Sequence, residues 1–198
     1  ITLDDDLLDV GHVAAERAVK IGAAQNNLFQ RGTAEEHGAG NVTLTFGLTT
    51  DGFAGVGNRK KYRMRIYNFS DKVIKLECKS KYGDLISKQS VTIPRDLAEQ
   101  LIAGDPEGLQ RMRHPLFHDM FREMKLNLLR PAVIVDYVRE AYVHPAEEVR
   151  VTFDKTLRTG LFSYDMFNKD LPTYPVFEDP VEILEVKFDE FLPGHIQA

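Results

Sequence analysis

Two segments in the first half of the chain alternate apolar and polar residues. They are KYRMRIYN, residues 61–68, and KLECKSK, residues 75–81. Successive side chains of a β-strand point to opposite faces, so each segment would have one apolar and one polar face. The apolar faces hold Tyr62, Met64, Ile66, Ile74, Leu76 and Cys78, and the polar faces hold Lys61, Arg63, Arg65, Tyr67, Lys75, Glu77, Lys79 and Lys81. The pattern predicts two strands that gather many like charges on one surface.

The same periodicity predicts most of the remaining secondary structure. Strands are predicted at 60–68, 73–81, 86–93, 132–143, 148–154 and 181–189, with a turn at Tyr82-Gly83-Asp84. One helix would follow Pro94 through LAEQLIA and end at Gly104. Another would open at His114-Pro115 and end at Arg130-Pro131. These two amphipathic helices could cover the apolar face of the strands.

Residues 1–57 carry weaker signals. The pattern predicts a helix through LLDVGHVAAERAVKIGA, a loop at QRGTAEEHGAG, a strand at NVTLTFGL and a turn at TTDGFAGVGN. A chain of 198 residues without internal repeats suits one domain, so we expect a single domain over residues 1–198, with residues 1–57 as its N-terminal segment.

The later strands repeat the alternation of the first two. Arg150, Thr152 and Asp154 alternate with apolar neighbours, and so do Glu185 and Lys187. Five or six such antiparallel strands favour a curled sheet, because curling buries the strand edges. The sequence therefore predicts an α+β fold: an antiparallel β-tunnel, a closed or nearly closed barrel, with a polar, basic lumen and amphipathic helices packed outside.

Composition limits the classes of function. The net charge is −5, yet residues 59–88 hold ten Lys or Arg against three Asp or Glu. A local basic surface in an acidic protein favours an anion site, and no nucleic acid partner is expected. No apolar run reaches the roughly 20 residues of a transmembrane helix, and the acidic N-terminus is unlike a secretory signal. The single cysteine, Cys78, allows no intramolecular disulfide, so a cytoplasmic location is expected.

The basic strand faces have two interpretations. Antiparallel sheets often expose one polar face to water, which alone would explain the pattern. However, like charges on neighbouring strands are destabilising, so a purely structural face would more often mix signs. Arg63 and Arg65 also have the guanidinium geometry that suits bidentate contact with phosphate. These two details favour a binding site.

Glu185 and Lys187, in LEVKFDEFLP, form a second candidate site. A carboxylate beside cations suits Mg²⁺ or Mn²⁺, which prefer oxygen ligands and bridge to substrate phosphates. An ordinary ion pair between strands would explain the same residues.

Three other motifs do not indicate a metal site, a phosphate-binding loop or a catalytic nucleophile. His114 and His118 lack a matched third ligand, which favours surface histidines at a helix start. GFAGVGNRK, residues 52–60, has Asn58 and Arg59 where a phosphate-binding loop requires Lys and Ser or Thr. No G-x-S-x-G elbow occurs, and Cys78 is on the apolar side of its strand, so nucleophilic catalysis is not predicted.

Five motifs follow one another in a consistent order over about residues 58–193: RMRIYN, LECKSK with Lys88 after it, RPAVIVDYVREAYV, VRVTFD and LEVKFDEFLP. Together they resemble the VTC domain, the polyphosphate polymerase domain of the CYTH-like, triphosphate-tunnel superfamily. The resemblance implies a basic tunnel that binds ATP and polyphosphate or pyrophosphate together with Mn²⁺ or Mg²⁺. It also implies an ATP–polyphosphate phosphotransferase, which moves the terminal phosphate of ATP onto a polyphosphate chain.

The resemblance further implies roles for individual residues. It assigns phosphate binding and catalysis to Arg63, Arg65, Lys79, Lys88, Arg139 and Arg150, a further catalytic role to Lys187, and metal binding to Glu185. Arg139 shares its predicted strand face with Val133 and Val135, so a bulge or bend would be needed to point it into the tunnel.

Residues 1–57 depart from the family pattern. Family members usually open with a strand of the K-Y-x-L or E-x-E-x-K kind and a second strand that ends in Tyr-Phe-Asp, and neither occurs here. Three alternatives therefore stay open: a tunnel triphosphatase that hydrolyses a triphosphate, a catalytically impaired polyphosphate-binding domain, and a basic surface for an acidic partner. The missing E-x-E-x-K opening favours the polymerase over the hydrolase.

Overall fold

The computed structural model describes residues 30–31, 38–47, 58–83, 85–144, 149–179 and 181–188 of the chain. The strands there are β1 (Gln30–Arg31), β2 (Gly38–Gly47), β3 (Asn58–Tyr67), β4 (Ser70–Tyr82), β5 (Leu85–Ile93), β6 (Arg130–Val143), β7 (Arg150–Gly160), β8 (Tyr174–Pro175) and β9 (Ile183–Lys187). Helices α1 (Arg95–Ile102) and α2 (Pro115–Leu126), with a 3₁₀-helix at Glu107–Arg111, lie between β5 and β6. The predicted α+β class is confirmed.

All of these strands belong to one antiparallel sheet. Seven follow the order β5-β4-β3-β2-β6-β7-β8, while β1 pairs with β6 and β9 pairs with β7. Among the described strands no pairing joins β5 to β8 or β9, so the sheet is open and the expected closed barrel is not supported. β8 has two residues and β9 has five, so neither offers a ladder that matches the nine residues of β5.

Irregular pairing bends this sheet at several places. The β2–β6 register shifts between Gly38 and Asn41. In β7, Thr156 and Leu157 together lie opposite a single residue of β6, and Thr156 has a φ of 48°. Bulges of this kind bend a strand and increase its twist. The sheet is therefore curled locally although it is not closed.

The helices cover one face of the sheet. The six apolar side chains predicted to face inward from the first two segments are all buried: Tyr62, Met64, Ile66, Ile74, Leu76 and Cys78. They join one core cluster with residues of the helices, among them Leu101, Leu109 and Met120. Burial of a side chain of this size stabilises the fold by about 1.5–3 kcal/mol. The opposite face of β3 and β4 is left for the charged residues.

The predicted elements are largely confirmed, with shifted boundaries. The strand predicted at 148–154 extends to Gly160, and of the strand predicted at 181–189 the described residues form a strand over Ile183–Lys187. NVTLTFGL lies mostly within β2, and parts of the loop predicted at residues 30–40 belong to β1 and β2. The helix predicted over residues 7–23 and the turn over residues 49–57 lie outside the described residues.

His114 begins helix α2. Its Nδ1 accepts a hydrogen bond from the Leu116 amide at 3.2 Å, and Pro115 occupies the first turn. This contact satisfies an N–H group that has no partner within the helix. The interpretation of His114 as a residue of a helix start is confirmed. Within the described part of the chain, no helix is long and apolar enough to cross a membrane.

Candidate functional site

The face of the sheet opposite the helices carries a strong excess of positive charge, and we call it the basic face. Strand register places eleven described cations on it, Arg59, Lys61, Arg63, Arg65, Lys75, Lys79, Lys81, Lys88, Arg139, Arg150 and Lys187, with the carboxylates Glu77, Asp154 and Glu185. The residues that the sequence predicted for the site all lie on this face. It extends from β5 at one edge to β9 at the other.

Glu77 of β4 is the centre of one group of cations. Its Oε2 accepts a hydrogen bond from Arg63 Nε at 2.7 Å, and its Oε1 lies 2.7 Å from Lys88 Nζ. Arg65 Nη1 is 3.9 Å from the same carboxylate. Glu77 is only 5% exposed and Arg65 only 11%. One buried carboxylate thus holds cations of the strands on both sides of it.

Strand register explains why these side chains meet. Glu77 lies directly opposite Arg63 in the β3–β4 pair and directly opposite Ser90 in the β4–β5 pair. Arg65 and Lys88 are its diagonal neighbours. Diagonal positions are about 7–8 Å apart across a pair of strands, which long side chains can span. On its other side, Arg65 Nε donates to the hydroxyl of buried Thr43 at 3.3 Å.

The surrounding cations determine the ionisation of Glu77. Burial alone would raise its pKa, but Arg65, Lys88 and Arg63 lower the pKa to about 2. The carboxylate is therefore charged at neutral pH, and it neutralises only part of the positive charge around it.

Three lysines lie side by side near this group. Lys61 of β3 is opposite Lys79 of β4, and Lys79 is opposite Lys88 of β5. Neighbouring strands are about 4.8 Å apart, so three ammonium groups in this row repel one another. The contact of Lys88 with Glu77 offsets part of that repulsion. Lys61, which had no assigned role, thus extends the row formed by the predicted site residues Lys79 and Lys88.

Arg139 of β6 and Asp154 of β7 form a second centre. Arg139 Nε and Nη2 donate to the two carboxylate oxygens of Asp154, both at 2.5 Å. The two side chains are 13% and 14% exposed. Burial would lower the pKa of Arg139, but the contact with Asp154 raises it above the usual value of an arginine, so the guanidinium keeps its positive charge. The guanidinium carbon also lies 5.1 Å from the centre of the ring of Tyr137, which is buried.

The bulge expected at Arg139 does not lie beside it in β6. Val135 of β6 lies opposite Thr43 of β2, which in turn lies opposite Arg65 of β3. Val135 is therefore itself on the basic face, and so is Val133. Arg139 follows Val133 and Val135 on the same face by regular alternation, because the extra residue of β6, at position 132, comes before them. The irregular residues nearest Arg139 lie in β2 and β7. The basic face has an apolar middle, which sequence alternation alone did not reveal.

Glu185 and Lys187 of β9 lie opposite Thr152 and Arg150 of β7. Lys187 Nζ is 3.1 Å from Glu185 Oε1, and the Thr152 hydroxyl donates to Oε2 at 3.5 Å. Burial would raise the pKa of Glu185, but Lys187 and then the arginines nearby lower it. This ion pair lies within β9, whereas the alternative to a metal site was an ion pair between strands.

The residues around Glu185 offer few ligands for a metal ion. In the parts of the chain that the structure describes, no group of three His, Cys, Asp or Glu side chains could hold one. Asp154, on the neighbouring strand, is engaged by Arg139. Mg²⁺ is usually held by one or two carboxylates, with water and substrate phosphates as its other ligands. The side chains around Glu185 therefore suit a metal ion that binds together with a phosphate ligand. They do not suit an ion that is held by protein side chains alone.

Two cavities lie away from the basic face. One of about 410 Å³ lies between the end of α1 and residues 162–167, and one of about 60 Å³ lies beside residues 166–173. Both are lined by residues of the helical side or of the loop after β7. Neither cavity is lined by a residue of the basic face.

Fold and site together define an α+β protein with one antiparallel sheet, helices on one face and a strongly basic opposite face. A family model, the VTC domain, matches residues 43–198. The chain therefore belongs to the VTC domain family, as its motifs predicted. No curated protein matches the chain.

Proposed function

We propose that the basic face binds a linear chain of phosphates, and that the protein transfers the terminal phosphoryl group of ATP onto polyphosphate. The observation that carries the proposal is the gathering of eleven described cations, with only three carboxylates, on one face of one sheet. Membership of the VTC domain family is consistent with a polyphosphate-related role.

The chemistry suits such a surface. Phosphoryl transfer passes through a loose transition state, so catalysis depends mainly on position and on stabilisation of charge. Arg63 and Arg65 would hold phosphate oxygens through their guanidinium groups. Lys79 and Lys88 would add point charges beside them. Donor and acceptor phosphates held in line on the same face could then react without a covalent enzyme intermediate.

The part of the basic face that lies on β6, β7 and β9 would orient the phosphate donor, ATP. Arg139, Arg150 and Lys187 would bind its phosphates, and Glu185 would hold Mn²⁺ or Mg²⁺ together with them. The ion would neutralise charge that develops on the phosphate oxygens.

Purified protein incubated with ATP and Mn²⁺ is expected to produce a ladder of chains on a polyphosphate gel. The same reaction with a chelator in excess is the control and should give no chains. Orthophosphate without chains would move the assignment to a triphosphatase. Tight binding of polyphosphate by calorimetry with no turnover would support a binding domain, and the absence of any binding would contradict the proposal altogether.

Replacing Glu185 by glutamine is expected to raise the Mn²⁺ concentration required for half-maximal activity about tenfold, because one charged ligand is lost. Binding of tripolyphosphate without metal should not weaken, since the change removes a negative charge. Glu182→Gln is a matched control, because Glu182 contacts Lys155 rather than a residue of the basic face. A Glu185→Gln protein with an unchanged metal requirement would exclude Glu185 as a metal ligand.

A further inference from the structure

The contact between Arg139 and Asp154 differs from the other ion pairs of the basic face. Two nitrogens of one guanidinium meet two oxygens of one carboxylate, and both groups are nearly buried. Glu77, by contrast, divides its oxygens between Arg63 and Lys88. A two-point contact fixes the plane of the guanidinium as well as its position. The Tyr137 ring beside it limits movement out of that plane.

Asp154 uses only part of the hydrogen-bonding capacity of Arg139. Asp154 occupies the side of the guanidinium that carries Nε and one proton of Nη2. The terminal edge, formed by Nη1 and the other Nη2 proton, points away from the carboxylate. Asp154 also cancels the formal charge of Arg139, so this arginine attracts a distant anion weakly. Its contribution to binding must come from the direction of its remaining donors.

We propose that Asp154 is a positioning residue, which orients Arg139 so that its terminal edge meets an oxygen of the bound phosphate chain. The inference rests on the proposed function, because it assumes that the basic face binds phosphates. It assigns to Asp154 a role in the selection of phosphate chains over other polyanions.

Charge and orientation predict opposite effects when Asp154 is replaced by asparagine. If only charge mattered, loss of a carboxylate would strengthen the binding of every polyanion. If orientation matters, a fixed donor is lost and the binding of a phosphate chain weakens. A charge-assisted hydrogen bond of this kind corresponds to about a tenfold change in affinity.

The experiment compares two polyanions by calorimetry at constant salt and without metal. For Asp154→Asn we expect tripolyphosphate to bind about tenfold more weakly, while dextran sulfate binds as well as before or more tightly. Glu140→Gln is the matched control: it removes an ion-paired carboxylate from β6 on the opposite face of the same pair of strands. Both affinities should be unchanged in this control.

Asp154→Glu keeps the test valid if Asp154→Asn folds poorly, and a double variant tests whether Asp154 acts through Arg139. Asp154→Glu keeps the charge but moves the carboxylate by one methylene, so tripolyphosphate should again bind more weakly. Arg139→Gln combined with Asp154→Asn should bind no more weakly than Arg139→Gln alone, because Asp154 acts through Arg139.

Equal or tighter binding of tripolyphosphate by both Asp154 variants would overturn the inference and leave the proposed function intact. Wild-type protein that binds no tripolyphosphate would overturn both.

Discussion

Replacement of Arg63 and Arg65 together by glutamine is expected to weaken tripolyphosphate binding by about 100- to 10,000-fold, because each lost contact between charged groups contributes about 1.5–3 kcal/mol. The two side chains lie at i and i+2 of β3, on the same face, and Glu77 holds both close together. Calorimetry at constant salt measures the loss, and thermal unfolding shows whether the variant is folded.

The chain offers a matched control for this change. Arg111 and Arg113 have the same spacing and are exposed on the helical side, so Arg111→Gln with Arg113→Gln removes the same charge away from the basic face. This control should bind tripolyphosphate as the wild type does. A second variant, with lysine at positions 63 and 65, keeps the charge but loses the planar fork, and we expect about a tenfold loss. Equal losses in the glutamine and control variants would show that net charge alone attracts the ligand.

The faces of the strands could be predicted from the sequence because alternation is a local property. Residues 61–67 and 75–81 each place apolar and charged side chains at alternate positions, and a sheet covered on one side must bury the apolar set. The buried row of Tyr62, Met64 and Ile66 confirms that expectation. The same alternation of side chains predicted that the site residues of these strands lie on the opposite face.

The partner of Glu77 could have been found from the sequence as well. The predicted turn at residues 82–84 fixes the register of β4 and β5, and register places Lys79 opposite Lys88. Glu77 is then two residues further along, within reach of Lys88. The signal in the sequence is a carboxylate that alternates with lysines on one strand. Which cations this carboxylate contacts depends on the register of the neighbouring strands.

The partner of Asp154 could not be found in this way. β6 and β7 are joined by a longer connection, residues 144–149, which does not fix the register of the two strands as a two-residue turn does. The register that places Arg139 opposite Asp154 therefore had no clear pattern in the sequence. The open sheet was missed for a similar reason, because closure depends on whether strands distant in sequence have edges of matching length.

The basic face would be unstable if its cations were not held apart or paired. Lys61, Lys79 and Lys88 are neighbours across three strands, and Arg63 and Arg65 lie in the adjacent rows. Folding brings these charges together, which costs free energy unless carboxylates lie between them. Among the described residues of this group, Glu77 is the carboxylate. The balance between positive and negative charge in β3, β4 and β5 therefore depends largely on Glu77.

Glu77→Gln is therefore expected to lower the free energy of unfolding by about 3 kcal/mol at neutral pH. The ordinary pKa of a glutamate is 4.5, and the shift to about 2 in the folded protein corresponds to about 3 kcal/mol. Removal of one partner from a buried ion pair gives losses of similar size, about 3–5 kcal/mol. Urea denaturation of both proteins measures the difference. Glu99→Gln, which breaks an exposed ion pair with Arg95, should lower the free energy of unfolding by less than about 1 kcal/mol.

The dependence on pH gives a second test of the same residue. Because the pKa of Glu77 is lower in the folded than in the unfolded chain, its stabilisation is complete above about pH 5 and is lost as the pH falls towards 2. The difference between wild type and Glu77→Gln should thus shrink by about 2 kcal/mol between neutral pH and about pH 3. A difference that stays constant over this range would mean that Glu77 stabilises the sheet by packing, and that the cations around it do not depend on its charge.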